Sequence, residues 1–217
     1  VTAPNVILAT NAYTDDLWSG LKRSVVPARS YHFATEVLPD DLARTVLPGA
    51  AVMTDRRRLL IGLRVTADNR IHFNGYGPLN GPDTGADLER TTMRLEEIFP
   101  QLRPVKLDMR IAWSGWMAMS PAGTWKLHRL AEGVTAALGC NGRGVVMGSF
   151  FGRDLARQAL GGAEADLTIP FERVVKIPFH FLTTPIARFE LRRRDRRDEA
   201  EMKALRRSNA ARTGRGR

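Results

Sequence analysis

Gly139-Cys140-Asn141-Gly142-Arg143-Gly144 is the stretch whose residue types and spacing are best suited to chemistry. It follows an apolar segment, Val134 to Leu138, and runs straight into a helical pattern from Val145. A helix begun in this way leaves its first backbone N–H groups without intrahelical acceptors. Those groups can face an anion or an electron-rich ring. Glycines at 139, 142 and 144 remove side chains that would hold a ligand off the backbone. The same residues also suit a plain strand–turn–helix connection, because glycine-rich turns are common. Cys140 reads either as a reactive thiol or as a small residue that fits the turn.

The elements around this turn follow from local pattern. Val6-Ile7-Leu8-Ala9 reads as a short buried strand, and Tyr13 to Leu21 as a short helix or turn. Val25 to Val37 reads as a long strand broken near Pro27, and a short helix starts at Leu38-Pro39-Asp40-Asp41. Ala51 to Thr54, Leu59 to Val65 and Arg70 to Asn74 form a meander with turns at 55–58 and 66–69. Asn74 to Gly85 is a loop rich in Gly, Pro and Asn. Leu88, Thr91, Leu95, Ile98 and Phe99 have helical spacing that Pro100 stops. Val105 to Trp113 reads as a strand, and Leu127–Leu130 with Val134–Leu138 as a hairpin around Glu132-Gly133. The helix from Val145 to Leu160 should end at Gly161-Gly162. The fold class expected is α+β, with an antiparallel sheet in the middle of the chain.

Size and charge narrow the classes of function. A chain of 217 residues with 43% apolar and 7% aromatic content can bury a sizeable core. It has no apolar run long enough for a membrane span, so no membrane partner is expected. One cysteine excludes an intrachain disulfide and suits a reducing, cytoplasmic compartment. The net charge is +10, and the segment Arg188–Arg217 holds 12 of the 33 basic and five of the 23 acidic residues. Residues 192–211 read as an exposed, partly helical segment, and 191–217 as a whole as a basic, disordered tail. With no aromatic residue after Phe189, the tail lacks stacking platforms for nucleic acid.

These pieces in this order resemble the FAD-dependent oxidoreductases of the D-amino-acid oxidase, glycine oxidase and sarcosine oxidase superfamily. Within it, they are most similar to the γ-glutamylputrescine oxidase-like branch. Ala9-Thr10-Asn11-Ala12-Tyr13-Thr14 resembles the strand end near the flavin. Val26-Pro27-Ala28-Arg29-Ser30-Tyr31 resembles the opening of the substrate domain. Asp55-Arg56-Arg57, Leu63-Arg64 and the run Asp68 to Gly75 resemble its middle strands. Trp113-Ser114-Gly115, the glycine turn and Gly152-Arg153-Asp154-Leu155-Ala156 follow at the family's spacing.

The resemblance implies an antiparallel-sheet substrate domain plus the C-terminal part of a Rossmann-like FAD domain. It also implies that the N-terminal βαβ unit is absent, since no G-x-G-x-x-G occurs in the sequence. The segments it implies are 1–24 and 113–162 in the FAD domain, 25–112 as substrate domain, and 163–190 as an extension packed on the domain. Thr10, Asn11, Asn141, Gly142, Arg143, Gly144 and Val145 would bind FAD, although Arg143 could equally be a surface arginine. Arg29, Tyr31, Arg64, Trp113 and Trp116 would line the substrate pocket, unless the tryptophans are core residues. Tyr31 and His72 are candidate bases by residue type alone, and a strand histidine between Ile71 and Phe73 often faces solvent or a structural partner. No catalytic residue is assigned, and no metal is expected.

Amino-acid-oxidising relatives carry Gly-Leu-Arg-Pro where this sequence reads Gly115-Trp116-Met117-Ala118, so the carboxylate-pairing arginine is missing. That favours a small-molecule amine as substrate, oxidised with O2 or another electron acceptor. Two other readings stay open: a binding protein whose basic tail contacts acidic partners, and a non-catalytic remnant.

Overall fold

Period-two burial marks the middle of the chain. Ile71, Phe73 and Gly75 are buried and alternate with half-buried His72 and Asn74, as in a strand with one face on a core. The computed structural model describes residues 2–75, 88–105, 107 and 111–213. In chain order its strands are β1 (Val6–Leu8), β2 (Val26–Ala34), β3 (Val52–Thr54), β4 (Gly62–Val65) and β5 (Ile71–Gly75). Then come β6 (Ile111–Met119), β7 (Lys126–Ala131), β8 (Val134–Leu138) and β9 (Phe171–Glu172). The α-helices are α1 (Asp40–Val46), α2 (Leu88–Ile98), α3 (Gly144–Ala159) and α4 (Thr183–Thr213). Most of the expected loop Asn74–Gly85 lies outside the described residues.

The chain divides into two units. One comprises Val1–Arg29 and Trp116–Thr184, the other Ser30–Gly115 and Pro185–Arg217. The first unit holds a mixed sheet of order β1-β8-β7-β9. β1 pairs with β8 in parallel, Val6 opposite Val134, and β7 and β8 form an antiparallel hairpin. Gly133 turns that hairpin at φ 66°, and a side chain there would lie 2.4 Å from the Pro4 carbonyl oxygen. α3 buries Phe151 and Leu155, four residues apart, against Leu127.

The second unit is built on a sheet of order β3-β4-β5-β2-β6. Tyr31, Phe33, Leu63, Ile71 and Phe73 share its buried face and pack with Leu95 of α2 and Ala43 and Val46 of α1. Asp40 and Asp41 in the first turn of α1 complement its dipole.

Four expectations change. β1 exposes Val6 and Ile7 because it is the edge of the described sheet, paired on one side only. β2 runs unbroken through Pro27, which precedes the residues paired with β5, so no bond of that ladder is lost. The strand expected over Val105–Trp113 is described from Ile111 and continues to Met119, residues 106 and 108–110 lying outside the described residues, while Val105 and Leu107 pack on the core. The tail expected to be disordered from 191 is helical through Thr213 and belongs to the second unit. It is rich in Arg, Glu, Ala and Leu, which are strong helix formers, and Glu190 pairs with Arg193 and Arg194 one turn on.

Candidate functional site

In the first unit the glycine turn is held from within. Gly139, Asn141 and Gly142 have φ of 82°, 46° and 79°, the left-handed region that glycine and asparagine tolerate best. A side chain on Gly139 would lie 3.1 Å from both Ser120 Cβ and the Thr124 carbonyl oxygen. Asn141 spends its amide on the turn itself. Its Oδ1 accepts the Ser120 N–H at 3.0 Å, and its Nδ2 donates to the Gly139 carbonyl at 2.6 Å and to Ser120 Oγ at 3.3 Å. Its own N–H donates to the Ala118 carbonyl at 2.9 Å. Asn11 Oδ1 accepts the Cys140 N–H at 3.4 Å, while Thr10 Oγ1 lies 2.6 Å from Thr14 Oγ1. Cys140 is buried at 4% exposure, the small-residue role rather than that of an accessible thiol.

This clamp presents an open helix N-terminus. α3 starts at Gly144 with no side-chain cap and no acidic residue in its first turn. Arg143, Gly144, Val145 and Val146 are all exposed. Such an end favours negative charge by its partial positive potential and its unpaired N–H groups. The residues fit the ring end of a flavin: three glycine-type positions, no competing carboxylate, and one cation beside them. Asn141 is the exception, because its amide is committed to the turn. Elsewhere in this unit, the Arg29 guanidinium lies 5.0 Å from the Trp116 ring centre, and the Trp116 N–H donates to the Tyr13 hydroxyl at 3.2 Å. Two expected pocket residues are thereby brought together.

The second unit carries a different constellation on the sheet face opposite its core. His32, Arg64 and His72 share that face, with Arg64 directly opposite His72. The rings of His32, His72 and Trp113 stack with centres 5.1–5.5 Å apart and planes within 20°. His32 Nδ1 and His72 Nε2 share a hydrogen bond of 3.3 Å, and Ser30 Oγ lies 3.2 Å from His32 Nε2. Burial lowers the pKa of both histidines from 6.5, and for His72 the neighbouring His32 and Arg64 charges lower it further. Both shifts favour the neutral imidazoles. Tyr31 is not part of this face, since it is 1% exposed in the core on the other side.

Reasoning from sequence missed His32 and Ser120. The signal for His32 was its even spacing from Ser30 in one strand, but pairing it with His72 needs the β2–β5 register. Among the described residues, no three His, Cys, Asp or Glu side chains gather as a metal site. No described helix is long and apolar enough to cross a membrane.

Residues 1–158 match the family described as FAD dependent oxidoreductase. The chain belongs to that family. It is 34% identical over 189 residues to the gamma-glutamylputrescine oxidoreductase of Escherichia coli, covering 82% of this chain and 44% of that protein. It is 32% identical to the probable oxidoreductase OrdL of Haemophilus influenzae, covering 76% and 38% respectively. Glycine oxidase from Geobacillus kaustophilus shares the fold with a TM-score of 0.61 at 18% identity, over 81% of this chain and 46% of that one. The iminodiacetate oxidase of Chelativorans sp. gives a TM-score of 0.56 at 19% identity, over 81% and 47%. The chain thus spans less than half the length of these relatives. Family and fold together establish the α+β architecture of FAD-dependent oxidoreductases, with an antiparallel sheet in one unit and a mixed sheet in the other.

Proposed function

We propose that the chain supplies the flavin-ring-facing turn and the substrate sheet of an amine oxidoreductase. The reaction is oxidation of an amine C–N bond to an imine, which water hydrolyses. The observation that carries this reading is the uncapped, acid-free N-terminus of α3 behind a glycine turn. When bound, FAD would supply the two-electron acceptor for the hydride on the carbon bearing the nitrogen, the nitrogen would lose a proton to give the imine, and O2 or another acceptor would reoxidise the flavin. The chain's own part is electrostatic: N–H groups of Gly144 and Val145, with Arg143 beside them, favour negative charge placed against the first turn of α3. Asn11, just after β1, supports the turn by accepting the Cys140 N–H, and Thr10 beside it bonds Thr14. The open edge of β1 is, in this proposal, where the part of the fold that the relatives carry in addition continues the sheet.

The substrate reading is an amine, a polyamine or an amino-acid derivative rather than a free α-amino acid. Gly115-Trp116-Met117-Ala118 contains no arginine to form a bidentate pair with a carboxylate. Arg29 over Trp116 is the cation that this unit offers to a more distant acidic group of the substrate. The similarity to the gamma-glutamylputrescine oxidoreductase of Escherichia coli supports an amine of this kind.

Expressed with whatever sequence its gene supplies around it, the protein should carry flavin absorbance and oxidise amines faster than free α-amino acids. A colourless protein, or a preference for α-amino acids, overturns the proposal. Trp116→Arg should shift preference toward α-amino acids by tenfold or more, about the worth of one charge-assisted pair. Unchanged preference would count against the pocket assignment while leaving the flavin reading intact.

A further inference from the structure

α4 is fastened along one side. Asp198, 5% exposed, accepts the N–H groups of Arg58 at 3.2 Å and Leu59 at 3.0 Å, and the Arg58 guanidinium at 2.9 Å. Glu201 takes the other side of Arg58, and Arg206 pairs with Glu97. All these contacts lie in the second unit and fix which side of the helix faces outward.

At about 100° per residue, Phe189, Arg192, Arg193, Arg196, Lys203 and Arg207 fall within about 60° of the direction opposite Asp198. All six are exposed. No Asp or Glu shares that sector, and Glu190, the partner of Arg193, lies outside it. The stripe is therefore cationic along its length and apolar at its N-terminal end, where Ile186 and Phe189 are 62% and 69% exposed. The chain just ahead of α4 is of similar character, with Phe179 and Phe181 left in solvent. The stripe itself lies beyond residue 158, where the family match ends.

We propose that the outward face of α4 docks on an anionic lipid surface, lying on the bilayer rather than crossing it. Cations over anionic headgroups and bulky apolar side chains at the acyl boundary are the two elements such docking needs. Nucleic acid is the poorer match. Single strands reward aromatic platforms spaced along the cationic track, of which the sector has none beyond Phe189, and a duplex backbone offers no apolar partner for the exposed Ile186 and Phe189. The inference stands apart from the catalytic reading, because none of these residues belongs to the candidate sites.

The test is co-sedimentation of the whole chain with vesicles of phosphatidylcholine alone, or mixed in equal parts with phosphatidylglycerol. Binding is expected on the mixed vesicles only, and weaker as salt is added. Arg192→Gln, Arg196→Gln and Lys203→Gln together should weaken it on the order of a hundredfold, at about tenfold or less per surface cation. Circular dichroism checks that the helix persists, since glutamine keeps helix propensity. Phe189→Trp should add blue-shifted emission on mixed vesicles that brominated lipid quenches. Equal binding to neutral vesicles, no binding to either, or full binding by the triple variant would overturn the proposal. So would a DNA duplex that binds α4 more tightly than the mixed vesicles.

Discussion

Asn141 uses both ends of its amide and its backbone N–H to tie the glycine turn to Ser120, Ala118 and Gly139. Asn141→Ala would lose three side-chain bonds and place alanine at φ 46°. The expected cost is about 2 kcal/mol, read from the urea unfolding midpoint of the chain. A cost below about 0.5 kcal/mol would show that the turn holds without its clamp. His32 and His72 give a second prediction at this scale. Both have folded pKa values lowered by burial, so the unfolded chain binds protons at a higher pH than the folded one. Their stability contribution is full above 6.5 and is lost as pH falls through the depressed folded values. Replacing both by Gln should flatten that decline in the unfolding midpoint measured from about pH 7 to about pH 5. The glycine turn was legible because left-handed positions demand Gly or Asn. His32 was not, because one residue of register decides whether it meets His72 or faces the core.

The exposed, partly helical reading of 192–211 agrees with α4, while the reading of 191–217 as a disordered tail does not. Charge composition does not show where a single carboxylate will dock. Asp198 meets two backbone N–H groups and a guanidinium, and that anchor orients a helix whose other side stays charged. Asp198→Ala should leave the buried Leu59 N–H without its acceptor and cost about 2 kcal/mol. Hydrogen exchange along α4 should quicken more than exchange in β5, and equal effects on both would argue against a local anchor. The elements around the glycine turn were read more closely. β8 and the end of α3 carry their own punctuation, in Gly133 at φ 66° and Gly161 at φ 92°. β6 runs past its expected end at Trp113 to Met119 because nothing local marks where pairing with β2 ends.

At the scale of the whole molecule each unit contains one deeply buried aspartate. Thr168 donates to Asp154 and holds its pKa below the usual range against the opposing effect of burial. Burial alone would raise Asp198, but the Leu59 and Arg58 N–H groups and the guanidinium outweigh it, and the net shift is downward. A depressed carboxylate stabilises the fold above its unfolded pKa, and that stability is lost as pH falls through the folded value. The melting temperature should therefore drop below about pH 4, and Asp154→Asn with Asp198→Asn should lower it at neutral pH and flatten the acid limb. Family, fold class and the glycine turn ahead of α3 were determined by the sequence alone, because glycine spacing, strand alternation and helix punctuation act over a few neighbouring residues. Tertiary structure decided which residues share a surface: His32 with His72 and Trp113, Arg29 with Trp116, and Tyr31 in a core. It also turned the expected loose tail into an oriented helix. These are contacts between residues up to 143 positions apart, and only strand register and helix docking bring them within reach.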